Sequence, residues 1–401
     1  MRKRFSFLFV TLLFIIALLG ACNILRKTIS VRVNGEVDSI FTTANTIYDI
    51  DTVVNLNGLK LALPDSCELH FNRGGKFKNG TVVGSNTKIT GTLAGIFDNL
   101  KIEGTWNVKN ISTSMFVETD QNTLHNLSVM CSEKLYNCVI IEDNCVIPII
   151  HFSSLFNIPS NTDVELKADI QSLPTSYKGG YALQVNGCNI HIHGHGHKIT
   201  GTIETDKSNN QQWQHGVFIT RNSSNIVIED VICTKFWGDG FYIMGSNIII
   251  KGVESSYNGR QGLSLTHGHD IIIANSSFHH TGSIDICSCK GPGAGIDIEP
   301  NEGDVVNNIE VKNCRLYDNY KYMQGYINDF QAYNAPSATV KVKDCTLGGV
   351  YLGRMSDVTF ENCDISESVF GIDRKVSGVT IRKSRIPIKS HMTIENIKIE
   401  K

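Results

Sequence analysis

In the second half of the chain, apolar and polar residues alternate in short runs, and the runs recur. Ile226/Ile228, Ile248/Ile250, Ile271/Ile273, Ile309/Val311, Val340/Val342, Val358/Phe360 and Val379/Ile381 are each apolar pairs with one residue between them. Alternation of this kind marks a strand with one buried face. Several runs end in a polar residue and a cysteine: Asn313-Cys314, Asp344-Cys345 and Asn362-Cys363. A second strand follows in each unit and opens on a glycine: Gly216, Gly240, Gly262, Gly295, Gly349 and Gly371, with Gly325 as a further candidate.

The units recur with a period of about 20 residues, the signature of a solenoid. Two intervals are longer and predict loop insertions at about 281–293 and 318–337, side by side along one face. The predicted fold is all-β, a right-handed parallel β-helix with loop insertions. One coil per repeat, coils about 4.8 Å apart and inward apolar ladders follow from it. Cys314, Cys345 and Cys363 then become buried rungs of a stack rather than disulfide partners.

The helix domain is expected over residues 151–401. Residues 23–150 are also β-rich, with strands expected around Leu69-His70-Phe71, Thr87-Lys88-Ile89 and Leu100-Lys101-Ile102. Their looser spacing fits either early coils or a separate small domain. Residues 1–22 read as a leader. Arg2-Lys3-Arg4 precedes an apolar run from Phe5 to Ala21, and Leu19-Gly20-Ala21-Cys22 resembles a bacterial lipobox. The run is shorter than the about 20 residues of a membrane span, so lipidation of Cys22 is expected rather than a signal-anchor helix. The expected location is the bacterial cell envelope, periplasmic or at the cell surface, with the lipid as the membrane contact.

Composition narrows the partners. The net charge of −2 supplies no basic surplus for nucleic acid. Thirty-five glycines against eight prolines suit a turn-rich β protein. Of twelve cysteines, Cys22 aside, an odd number remains, so complete pairing is impossible. Cys287-Ser288-Cys289, in the first insertion, reads as a redox-sensitive or disulfide-bearing loop. Nothing bears on oligomeric state.

Aligning the coils by glycine gives columns of neighbours. The residue before the glycine is His215, Asp239, Gln261 and Ala294; the outward residue two after it is Phe218, Tyr242, Ser264, Asp297, Tyr351 and Asp373; the next is Thr220, Met244, Thr266 and Glu299. Asp297 and Glu299, at i and i+2, face the same way with Cα atoms about 6.6 Å apart. Paired carboxyls are what glycoside hydrolysis needs, one protonated to release the leaving oxygen and one ionised to aid attack. Asp239 is the expected supporting acid. Arg260, one coil on, is expected either to pair with Asp239 or to grip an acidic sugar. Gln261, Tyr242, His215 and His267 complete the expected substrate-binding set, the two histidines as candidate proton carriers. His191, His193, His195 and His197 form a run, but the last two fall in a glycine-rich turn and no tetrahedral set emerges, so no metal site is expected.

Three strings carry a family resemblance: Trp237-Gly238-Asp239-Gly240-Phe241-Tyr242, Gly259-Arg260-Gln261-Gly262-Leu263-Ser264-Leu265, and Gly295-Ile296-Asp297-Ile298-Glu299-Pro300-Asn301. With the repeats, they resemble the pectate-lyase-like superfamily, and within it bacterial proteins related to family 28 glycoside hydrolases. The resemblance implies action on a polysaccharide lying along the helix axis. Polygalacturonases carry paired aspartates on one coil and Gly-His-Gly on the next. Here Gly238-Asp239-Gly240 has one acid, and His267-Gly268-His269 echoes the second string loosely. The expected function is a polysaccharide-cleaving glycoside hydrolase without a cofactor. The alternatives are a lyase on uronic-acid chains, for which calcium would be a candidate cofactor, and a non-catalytic glycan-binding surface protein.

Overall fold

The structure, a computed structural model, describes residues 26–32, 37–132, 134–204, 212–282, 293–301, 303–320, 327–329, 339–352, 357–365, 370–372, 378–385 and 397–400. Cys22 with the leader, Cys287, Cys289, Gly325, Asp373 and most of both expected insertions lie outside these residues.

The right-handed parallel β-helix expected from the repeats is the fold. Each coil has three strands rather than the two that the alternation shows. One coil runs through Cys188–His193, Lys198–Thr200 and Trp213–Ile219, and the next begins at Ser224–Glu229. Stacking these gives a twelve-stranded sheet, a nine-stranded sheet of short strands, and a second nine-stranded sheet that carries the candidate acids, called here the site sheet. The twelve-stranded sheet begins at Asn110–Ser112 and its parallel ladder passes residue 150 without a break. Residues before it form a further parallel seven-stranded sheet.

Inside, like stacks on like. Ile190, Ile226, Ile248, Ile271, Ile309, Val340 and Val358 are successive register partners, and all are buried. Between the twelve-stranded and short-strand sheets the chain turns through left-handed residues, among them Asn275, Asn313, Asp344 and Asn362, with φ of 53°, 51°, 54° and 52°. Asn and Asp tolerate that region, and their side chains bond along the stack. Asn313 Nδ2 donates to Asn275 Oδ1 at 2.8 Å and Asn362 Nδ2 to Asp344 Oδ1 at 2.6 Å. Beside them Cys314, Cys345 and Cys363 are buried and free, as the stack predicts. The glycine column marks close backbone approach. A Cβ on Gly240 would lie 2.1 Å from Ser255 Oγ, and one on Gly262 2.5 Å from the Gly295 carbonyl oxygen.

One short helix, Thr123–Met130, covers a sheet edge. Asn126 stands in for a strand there, accepting from the Ile102 N–H at 3.0 Å and donating to the Leu100 carbonyl at 3.0 Å. Among the described residues no helix is long and apolar enough to cross a membrane.

Two register details differ from expectation. The strand for which Gly325 is the further candidate opening is Ile327–Asp329, within the 318–337 segment; Ile327 pairs with Ile296, one residue later than the glycine alignment places it, and the strand continues the site sheet beside Asp297. The partner of Tyr351 is Gly371 rather than Asp373, because that coil is shorter than the glycine alignment assumes.

Candidate functional site

The site sheet confirms the column Phe218, Tyr242, Ser264 and Asp297 as direct register partners. What changes is their environment. Columns expected to face outward are largely sealed: Ser264 is 1% exposed, Asp297 0% and Thr266 3%. Polar groups taken from water must find partners, and here they bond to one another across three coils.

Asp239 is fully buried. One carboxylate oxygen accepts from the Gln261 N–H at 3.0 Å and the other from Ser264 Oγ at 2.9 Å. Burial pushes its pKa up, but His215, Arg260 and these bonds outweigh burial and hold it below the ordinary aspartate value. Gln261 then bridges to the next coil, its Nε2 donating to Asp297 Oδ2 at 2.7 Å. The opposite holds at Asp297. Burial first, and the adjacent Glu299 charge second, raise its pKa well above the ordinary value. Glu299 is also raised, chiefly by burial, while Arg260 pulls it down. Arg260 Nη2 stands 3.9 Å from Glu299 Oε2, and the Glu299 side chain keeps 36% exposure. It is the carboxylate of the three that meets solvent.

Of the two roles expected for Arg260, pairing with Asp239 is not the contact that forms. Arg260 reaches Glu299, and its guanidinium lies 4.6 Å above the Trp213 ring. His215 is the near neighbour of Asp239, at 3.4 Å, and its Nδ1 accepts the Asp239 N–H at 2.8 Å. That bond holds the ring against the Asp239 backbone and makes His215 a positioning group. His267, between the strands Leu263–Leu265 and Gly268–Ala274, faces Asp304 at 3.3 Å and Arg221 at 3.3 Å rather than the acids. Burial and the Arg221 charge lower its pKa. Tyr242 packs against His215 with centroids 4.9 Å apart, and burial raises its phenol pKa.

Two features escaped the alternation pattern. One is an aromatic shelf on the N-terminal side of the acids. Tyr181 stacks on Phe218 at 4.1 Å, Phe218 meets Tyr242 at 5.6 Å, and Trp213 is 42% exposed beside Arg260. Its sequence signal was the aromatic character of Trp213 and Tyr181, whose strands pair two coils' residues far apart in the chain. The other is a set of buried polar atoms that have no hydrogen-bond partner among the described residues: Asp297 Oδ1, Gln261 Oε1, and Arg260 Nε and Nη1. Unpaired atoms of this kind cost free energy (~1–3 kcal/mol each) and call for an explanation. A cavity of about 720 Å³ elsewhere, lined by His195, Asp230, Glu254 and Arg315 among others, belongs to the turns beside the short-strand sheet and holds none of these acids.

Residues 176–335 match the family model described as "Right handed beta helix region". No curated protein matches the sequence. Among solved structures the chain is similar to the Dettilon tailspike protein, with 13% identity over 73% of this chain and 68% of that one and a TM-score of 0.46. It is similar to a polygalacturonase from Erwinia carotovora ssp. carotovora, with 11% identity over 94% and 96% and a TM-score of 0.37. A third is a mannuronic acid specific polysaccharide family 6 lyase from human gut microbiota, with 12% identity over 94% and 90% and a TM-score of 0.40. Over residues 176–335 the chain is thus similar to the right-handed β-helix family, in keeping with the stacked parallel coils described above.

Proposed function

We propose that this protein is exported, tethered through lipid on Cys22 in a bacterial envelope, and cleaves a polysaccharide by hydrolysis on the site sheet. The observation that carries the reading is the pair Asp297–Glu299: a sealed carboxyl with a raised pKa beside a carboxylate that reaches solvent and an arginine. In this account Asp297 holds the proton for the leaving glycosidic oxygen, and Glu299, whose charge the nearby Arg260 favours against burial, acts on water or the sugar. Because Asp297 is fully enclosed, a group covering it must move before substrate can reach it. Asp239 touches no substrate. It positions Gln261 and Ser264, and through Gln261 orients Asp297. The shelf of Tyr181, Phe218, Tyr242 and Trp213 offers apolar faces to sugar rings.

One observation favours a lyase as the second reading. Arg260 presents two unpaired buried nitrogens, suited to a uronate carboxylate whose neutralisation eases removal of the neighbouring C5 proton. The test is incubation of the purified protein with acidic and neutral polysaccharides, with and without calcium. Products are followed by new reducing ends and by ultraviolet absorbance of unsaturated uronates. Reducing ends without that absorbance support hydrolysis. Both signals together move the assignment to the lyase, and binding without either leaves a non-catalytic glycan-binding protein.

A further inference from the structure

The histidine run lies on the outer face of the twelve-stranded sheet, away from the acids of the site sheet. His191 and His193 share one strand, and Glu229 is the register partner of His193 in the following coil. His191 Nε2 is 2.9 Å from Glu229 Oε1, and His193 Nδ1 is 2.7 Å from the same oxygen. The three donor atoms all fall within 4.8 Å of one another. His191 Nε2 is buried and makes no hydrogen bond among the described residues, so its approach to Glu229 is close but misdirected for one. Two imidazole nitrogens and a carboxylate oxygen thus converge on one point. Behind them stands a second carboxylate. Glu165, the partner of His193 from the preceding coil, lies 3.7 Å from His193 Nε2 and 2.6 Å from His195 Nε2. A carboxylate on the far nitrogen is what sets the tautomer and aim of a metal-bound imidazole.

We propose that His191, His193 and Glu229 bind a divalent transition-metal ion, with zinc the best match to the donor set and one coordination position left to water. Two nitrogens and one carboxylate oxygen at about 2.0–2.2 Å form such a site once the side chains part slightly, since tetrahedral donors at that distance stand about 3.3 Å from one another. Lys251 pairs with Glu229 through the other carboxylate oxygen and leaves Oε1 free for the ion. The histidine run by itself holds no complete donor set. The third donor comes from a strand one coil later, and register supplies it. The ion joins two adjacent coils, so its occupancy acts on stability rather than on the acids.

The test uses the full-length protein without a histidine tag. Zinc titration by calorimetry, cobalt(II) absorption and thermal unfolding are compared with the same measurements on the His191→Ala/His193→Ala variant. Expected are zinc binding, a cobalt spectrum of nitrogen and oxygen ligands without a thiolate charge-transfer band, and a zinc-dependent rise in melting temperature. All three are lost in the double variant, while Glu165→Gln weakens binding by about 10–100-fold. If the double variant fails to fold, His191→Asn alone reads the same loss. No zinc binding by the wild-type protein, or affinity and thermal shift unchanged in the variant, overturns the proposal. So does a thiolate band that persists in it.

Discussion

Ile249 on the twelve-stranded sheet and Asp297 on the site sheet occupy the same kind of position, the middle outward residue of a parallel strand. Ile249 is 38% exposed and Asp297 is 0% exposed. Around Ile249 the outward face is ordinary solvated surface with ion pairs such as Glu229–Lys251. Around Asp297 the outward face is closed over, and Asp239, Gln261, Ser264 and Asp297 bond to one another across the coils. The backbone repeat is the same in both places, so chemistry comes from what covers a rung and not from the rung. A carboxyl shut away from water is the group whose pKa rises most, and a sealed acid beside one that reaches solvent is an arrangement that the two roles of glycoside hydrolysis can use.

That contrast can be broken by mutation. Asp297→Asn and Glu299→Gln should each lower turnover by about 10²–10⁴-fold while leaving glycan binding in place, measured as reducing ends and by affinity electrophoresis. The same carboxyl should show in stability against pH. Asp297 has a folded pKa raised above 3.8, so the native state binds the extra proton between that value and the raised one. Its stabilisation is complete below the ordinary value and is lost as pH rises through the raised one. Asp239, held below 3.8, works in the other direction and loses its contribution as pH falls through its lowered value. Urea unfolding across pH should therefore show Asp297→Asn removing the loss on the alkaline side and Asp239→Asn removing the loss on the acid side.

On the regular side of the coil the expected effects are structural. Ile250→Ala, in the interior ladder between Ile228 and Ile273, should cost about 2–5 kcal/mol in chemical denaturation. Asn225 has φ of 57° and its Nδ2 donates to Asn189 Oδ1 at 2.7 Å. Asn225→Ala should cost about 1–2 kcal/mol, with Asn225→Gly milder because glycine tolerates that conformation. Ile249→Thr, on the solvated face, should stay within about 0.5 kcal/mol. An Ile249→Thr effect as large as that of Ile250→Ala would remove the distinction between the two faces.

The apolar ladders were legible in the sequence because alternation and a steady period both point to them. The short-strand sheet was not. Its strands, such as Ile232–Thr234 and Glu254–Ser256, are three residues long and partly polar, so they resemble turns. The site column was legible as far as Asp297, where glycine spacing tracks register, and failed at Asp373, where a shorter coil shifts the alignment. Partner choice was least legible. Whether Arg260 meets Asp239 or Glu299 depends on side-chain direction, and the aromatic shelf depends on stacking between residues distant in sequence.

The most direct measurement is the infrared spectrum of the protonated carboxyl group, recorded for wild-type protein and Asp297→Asn from acid to neutral pH. The account predicts a C=O band that persists well above 3.8, the ordinary aspartate value, in the wild-type protein and is missing from the variant. A band that disappears at ordinary carboxylate pH, or that the variant retains, would contradict it.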